Sequence, residues 1–391
     1  MIKIFCCNYC KENILRVLTV LWLLFSIPAS IYAGFPDKKS INKNNYTESK
    51  VCGECHKDIY YYWKNSLHAM SLENPIFNTA YMQSLRQDSK KAKELCLRCH
   101  APAVLFNSDY ELKQDVTREG ISCDFCHTIA GIILKDTKYL FSIKVGETKR
   151  GPLKNASSPV HNVEYSSLHT RSEFCAGCHE LRGNNNVPIM ETYTEWQKSP
   201  YAAQGKQCQD CHMPEVEGFV VDPKLKESSR TINLHDIQGG HSLTQLKKSV
   251  QLNMVNMKKE KDTLNVGLKI ANIGSGHMIP TGIPSQQLVL EVSLIVKNKI
   301  IDTQTREYEK VISDASGRVL KDDWDIIMNG AKILNDNRLA PLEERIEHFT
   351  FQIPQGYEGT ISSKIYYVYR PYLMEKQEIK VEINSSENTT K

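Results

Sequence analysis

After residue 33 the 391-residue sequence has no cysteine outside one recurring pentapeptide, no second long apolar run and no strong excess of either charge. The missing second run leaves no other segment with the ~20 apolar residues needed to cross a bilayer. The net charge of +4 falls to +2 when residues 1–33 are set aside, because Lys3, Lys11 and Arg16 leave with Glu12. That balance gives no footprint for nucleic acid. No cysteine directly follows the N-terminal apolar run, so a lipoprotein anchor has no attachment point. The run itself, roughly 14–27, follows basic residues and ends at Ile31-Tyr32-Ala33-Gly34. A basic start, a short apolar stretch and a small residue at the end describe a secretory signal peptide, residues 1–33, cut after Ala33. Retention as an uncleaved anchor is the alternative, and the shortness of the run counts against it. Cys6, Cys7 and Cys10 lie in this segment, so the CxxCK match at Cys7–Lys11 is removed with it.

The remaining ten cysteines form five CxxCH motifs: Cys52–Cys55–His56, Cys96–Cys99–His100, Cys123–Cys126–His127, Cys175–Cys178–His179 and Cys208–Cys211–His212. Two cysteines at this spacing form thioethers with the two vinyl groups of one haem. The next histidine is then held under the iron as its proximal ligand. Zinc ribbons and redox motifs also use CxxC, but histidine makes up only about 3 % of the chain. Five pairs out of five followed by His would arise by chance about once in 10⁷ trials or fewer, which excludes a bare zinc or redox count. The expectation is five covalent haem c groups. Their propionates outweigh the ferric cores, so the mature holoprotein is expected to be mildly acidic.

Residues 34–48 are polar and read as a linker. Residues 49–245 hold the five motifs, about 40 residues per haem, too few for a large side-chain core. The porphyrins are expected to be the apolar filling, wrapped by short helices such as 57–70 and 90–99. Past residue 246 the pattern changes to period two. Leu264, Val266, Leu268 and Ile270 alternate with other residues; residues 288–296, the Phe349-Phe351-Ile353 face and residues 365–369 add further strands. The fold class is therefore α+β: a mostly helical or irregular multihaem domain, then a β-sandwich at 246–383 and a disordered tail at 384–391. A weak repeat links Trp63-x-x-Ser66-x-His68-Ala69 to Trp196-x-x-Ser199-x-Tyr201-Ala202, with His68 replaced by Tyr201.

The second axial ligand decides the chemistry, since a filled iron passes electrons and an open one binds substrate. Seven histidines are not proximal: His68, His161, His169, His235, His241, His277 and His348. His68 cannot easily reach back to its own iron and is expected on a neighbouring haem. His235 and His241 bracket a glycine-hinged loop suited to close approach to a flat macrocycle. His161, His169 and His277 complete the candidate set, and His348 is expected on the surface. Six candidates for five irons favour mostly bis-His, low-potential centres and electron transfer over catalysis.

The segments Cys52–His56 with Trp63–Ala69, Ser172–His179, Trp196–Ser199 running into Cys208–Pro214, and Gly276–Gly282 together resemble multihaem cytochromes of the cytochrome c-554 type. Asp336–Leu339 and Pro341-x-Glu343 resemble the later part of the same β-module. The resemblance implies stacked and perpendicular haem pairs in a periplasmic or extracellular carrier, with redox proteins, other cytochromes or further copies of the chain as partners. Related arrangements occur in enzymes converting nitrite or hydroxylamine. A reductase with one open haem, or a subunit of an extracellular assembly, are therefore the competing readings.

Overall fold

In the computed structural model of the chain, residues 41–135, 137–370 and 378–390 are described. The expected signal peptide and the first part of the expected linker lie outside them. The architecture is α+β. Each CxxCH motif sits at or within a short helix: Ser49–Gly53 starts the first, and Ser89–His100, Cys123–Thr128, Glu173–His179 and Cys208–His212 hold the others. The helix expected at 57–70 runs only over Lys57–Lys64. It stops because Ser66 turns inward, buried, and accepts the Ala69 N–H at 3.2 Å. Two-stranded sheets fill the gaps between helices, including the hairpin Ile129–Lys135 with Lys138–Ile143. Apolar side-chain clusters here are small, such as Tyr46, Ala103, Val116, Phe125 and Ile129.

The C-terminal region is built differently. Thr263–Asn272 lies between Val250–Glu260 and Glu344–Gln352 in a three-stranded antiparallel sheet. Gln286–Val296 and Thr360–Tyr369 form the middle of a four-stranded sheet, flanked by Lys299–Tyr308 and Ile379–Thr389. Leu264, Val266, Leu268 and Ile270 of the first sheet meet Leu288, Leu290, Val292 and Leu294 of the second in one buried core. Period-two alternation with apolar residues on the inner faces makes this a β-sandwich.

Three boundaries differ from the sequence reading. Residues 384–389 are not a disordered tail but the end of the strand Ile379–Thr389, paired to Thr360–Ile365. The strand lies at a sheet edge and buries Ile383 among mostly exposed or half-exposed residues, so it reads as polar. Residues 41–48 are not a loose linker. Tyr46 is buried, and the Thr47 N–H donates to Asp124 Oδ2 at 2.7 Å. Leu243–Ser249 is a helix whose Leu246 joins the sandwich core, so that unit begins before residue 246.

Candidate haem sites

A single continuous cavity of about 1650 Å³ runs through the molecule. It is lined by all ten motif cysteines and by eleven histidines, every one except His348. His348 lies exposed on its strand, out of phase with buried Phe349 and Phe351. The volume exceeds the ~300–1,000 Å³ of an ordinary small-molecule pocket.

The motifs are in contact in an order that differs from the sequence. The Cys52 side chain lies beside Cys123, Cys99 beside Cys178, and Cys175 beside Cys208. Two of these junctions are built alike. Ser49, three residues before Cys52, is fully buried; its N–H and hydroxyl donate to Glu119, and its hydroxyl accepts the Cys123 N–H at 3.2 Å. Ser172, three residues before Cys175, is fully buried, gives the same two bonds to Gln207 and accepts the Cys208 N–H at 2.9 Å. The indoles match as well: Trp63 donates to the Ile121 carbonyl and Trp196 to the Lys206 carbonyl, each two residues before the second motif's first cysteine. The weak sequence repeat is thus a repeated two-motif module.

Four of the five motif imidazoles are oriented by backbone. His56 Nδ1–H donates to the Val220 carbonyl at 2.5 Å, His127 to Arg150 at 2.5 Å, His212 to Gln238 at 2.6 Å and His100 to Ser71 at 3.2 Å. A bond at Nδ1 fixes the tautomer and leaves Nε2 unprotonated, as a metal ligand requires. Burial favours the neutral ring too. It pulls His68 down to about 3, and His100, His169, His179 and His235 down to about 4, neighbouring imidazoles adding to the effect.

Two imidazoles sharing one metal, with metal–nitrogen bonds of about 2 Å and a reach of about 1 Å from ring centre to nitrogen, stand roughly 6 Å apart centre to centre. Three pairs have this spacing: His56 and His161 at 6.3 Å, His179 and His68 at 6.5 Å, and His212 and His277 at 6.4 Å. In each, a motif histidine meets one from elsewhere in the chain. His161 and His277 donate from Nδ1 to the following residue's carbonyl, at 3.0 and 2.9 Å, freeing Nε2. His127 has His169 beside it at 5.5 Å, and the buried Nδ1 of His169 has no hydrogen-bond partner. His235 lies within electrostatic reach of both His127 and His56, with its Nδ1 held by the Asn233 carbonyl at 2.6 Å. His100 is different. Its ring contact is the face-stacked Phe77 at 3.6 Å, which braces the imidazole from the side. His241 lines the cavity from an exposed turn and enters none of the close ring pairs. Paired thiols, carbonyl-oriented imidazoles at iron-bridging distance and an orphaned ring nitrogen fit haem c.

Sequence reasoning missed the carbonyls that aim these rings, which carry no side-chain signature. It also missed Glu195, a polar helix residue that reaches into the His277 loop.

The profile of the family described as "Cytochrome c554 and c-prime" matches residues 51–128. A search of curated proteins finds no match. Among solved structures, a penta-haem cytochrome c552 from Thermochromatium tepidum aligns with TM-score 0.71 and 23 % identity, covering 88 % of this chain and 99 % of that one. The CARDB domain of the PF1109 protein from Pyrococcus furiosus is matched at TM-score 0.18 and 11 % identity, over 36 % of this chain and 83 % of that one. The chain shares its overall fold with a penta-haem cytochrome c552 and is similar over residues 51–128 to the cytochrome c554 and c-prime family, which is consistent with a multihaem c-type cytochrome.

Proposed function

We propose that the protein is an exported electron-transfer cytochrome with five haem c groups, most of them ligated by two histidines. The observation that carries this reading is the one cavity lined by all ten cysteines and eleven histidines. Haem bound there supplies a one-electron iron couple whose potential is set by its axial ligands. The cysteines of the five motifs hold it covalently, with His56, His100, His127, His179 and His212 on the proximal side. His161 serves the first site, His68 the fourth, His277 the fifth, and His169 or His235 the third. The side chains keep the sites contiguous: first beside third, fourth beside fifth, second beside fourth. Two histidines per haem would leave no iron position for substrate, which would suit transfer rather than catalysis. Export rests on the N-terminal pattern; among the described residues no helix is long and apolar enough to cross a membrane. Redox proteins, other cytochromes or further copies of the chain are the expected partners. Intact mass of the protein purified from its native host tests haem count and export together. The account expects five haem additions on a chain beginning near Gly34. Fewer additions, or a retained N-terminus on a cytoplasmic protein, would contradict it.

One observation favours a second reading, an oxidoreductase acting on a small nitrogen or sulfur compound at an open haem. Among the described residues His100 has no imidazole ring paired across from it. The second motif is then the site left open. Carbon monoxide added to the reduced protein distinguishes the two: binding at one haem in five supports an open site, and no binding leaves the carrier reading alone.

A further inference from the structure

The repeated module shows where the fifth site departs from its counterpart. In the first module the residue after Trp63-x-x-Ser66-x is His68, whose ring faces His179. In the second the same position is Tyr201, whose hydroxyl donates to the Ile273 carbonyl of the β-sandwich at 3.1 Å. Four residues further on, His277 comes from the sandwich to face His212. A ligand arriving on a loop from another domain needs that loop held, and the second module contains the holding group. Glu195 stands where the first module has Tyr62, immediately before the tryptophan. Its carboxylate Oε2 accepts the Thr281 hydroxyl at 2.7 Å and the Met278 N–H at 3.3 Å, the peptide group joined to His277. Its Oε1 lies 2.8 Å from Arg338 Nη1, and both side chains are almost fully buried. Arg338 is itself fixed by Asp336 and donates to the Pro280 carbonyl at 3.2 Å. From the other side Asn272 donates to the His277 carbonyl at 3.0 Å. A Cβ at Gly276 would meet Trp196 and Tyr201 at 3.6 Å.

We propose that Glu195 is a positioning residue for the fifth haem: buried and paired with Arg338, it clamps residues 278–281 so that His277 is aimed at the iron held by His212. The proposal rests on His277 being that iron's second ligand. Without the carboxylate the loop loses two anchoring bonds, Arg338 is left buried beside one fewer anion, and His277 is no longer pre-set.

The test uses the full-length holoprotein as Glu195→Ala, Glu195→Gln and His277→Ala, each checked for five haems per chain. Low-temperature electron paramagnetic resonance reads the spin state, and a redox titration reads the potentials. His277→Ala is expected to convert one haem in five to high spin. Glu195→Ala is expected to do the same in part, to shift the potential of that haem alone, and to revert to low spin when imidazole is added. Glu195→Gln, which keeps an acceptor oxygen, is expected to lie between Glu195→Ala and wild type. A purely structural role would not give imidazole-reversible high spin confined to one haem. If His277→Ala makes a high-spin haem and Glu195→Ala makes none, the proposal is overturned while the ligation stands. If His277→Ala leaves every haem low-spin, the ligation fails and the proposal with it. Should Glu195→Ala not accumulate, Thr281→Val removes the shortest clamp bond together with the 2.8 Å hydroxyl contact to Thr192, and Thr192→Val, which removes that contact only, is its control. The same imidazole-reversible signal supports the proposal, and unchanged spectra overturn it.

Discussion

At the residue scale the chain's work is to keep imidazoles neutral and aimed. Burial pulls His100, His179 and His235 down to about 4, below the ordinary value of about 6.5, and iron on the ring would keep the proton off in the same direction, so each binds fewer protons folded than unfolded. Stability therefore rises with pH across that interval. It is complete above about pH 6.5 and is lost as pH falls toward 4. Thermal melting from pH 8 to pH 4 is expected to be flat on the upper side and to drop steeply below pH 6.5; a flat profile down to pH 4 would contradict this. Gly120 matters for the same geometry. Its φ is +69°, and a Cβ there would stand 2.7 Å from the His68 carbonyl oxygen and 2.4 Å from Ser71 Oγ. The next N–H, of Ile121, donates to that same carbonyl at 3.0 Å. Gly120→Ala is expected to cost more than about 1 kcal/mol and to displace His68, seen as high spin at one haem alongside a lowered Tm. The motif histidines that line the cavity were legible in the sequence because CxxCH carries its histidine in place. The destination of His277 was not, since nothing local ties residue 277 to residue 212, and neither pairing nor Glu195 leaves a periodic trace.

At the scale of elements, local pattern and long-range pairing divide what the sequence discloses. Leu264 to Ile270 alternate, and their strand was legible because both the period and the buried side appear within seven residues. Ile379–Thr389 was not legible past residue 383, because an edge strand with one buried apolar residue reads as polar tail. Its pairing along Thr360–Tyr369 and the Asn384 side-chain bond to the Val250 carbonyl at 3.1 Å make it structural. Deleting residues 384–391 is expected to lower Tm by several degrees and to promote association through the exposed strand edge. An unchanged Tm and a monomeric elution profile would sink that expectation. The junction between the units depends on Arg338 with Glu195 and Asp336, side chains of Arg338 and Glu195 being 4 % and 7 % exposed. Arg338→Met leaves two carboxylates short of their cation and is expected to cost about 3–5 kcal/mol in chemical denaturation. The tryptophan-serine echo proved more informative than its length suggested, because the indole bonds recur at the same positions relative to the second motif of each pair and Ser66 and Ser199 each accept the N–H three residues on.

At the scale of the molecule the two halves are stabilised by different means. The sandwich has a continuous side-chain core; the N-terminal half has small clusters around a cavity of about 1650 Å³. So large a space, lined by the motif cysteines and histidines, is not closed by the protein's own side chains, and on the proposed reading haem is the core of that half. Chain made without haem attachment is expected to be digested by protease through residues 41–242, leaving a protected fragment from the sandwich; uniform resistance would contradict this. Forty residues per motif made that dependence legible in the sequence. The order of the sites in space was not, because it is set by contacts such as Ser49 with Cys123 that span more than seventy residues. The most direct test of the whole account is low-temperature electron paramagnetic resonance of the ferric holoprotein with all five haems in place. The account predicts low-spin signals from every site except, at most, the one held by His100; high-spin iron at two or more sites would contradict it.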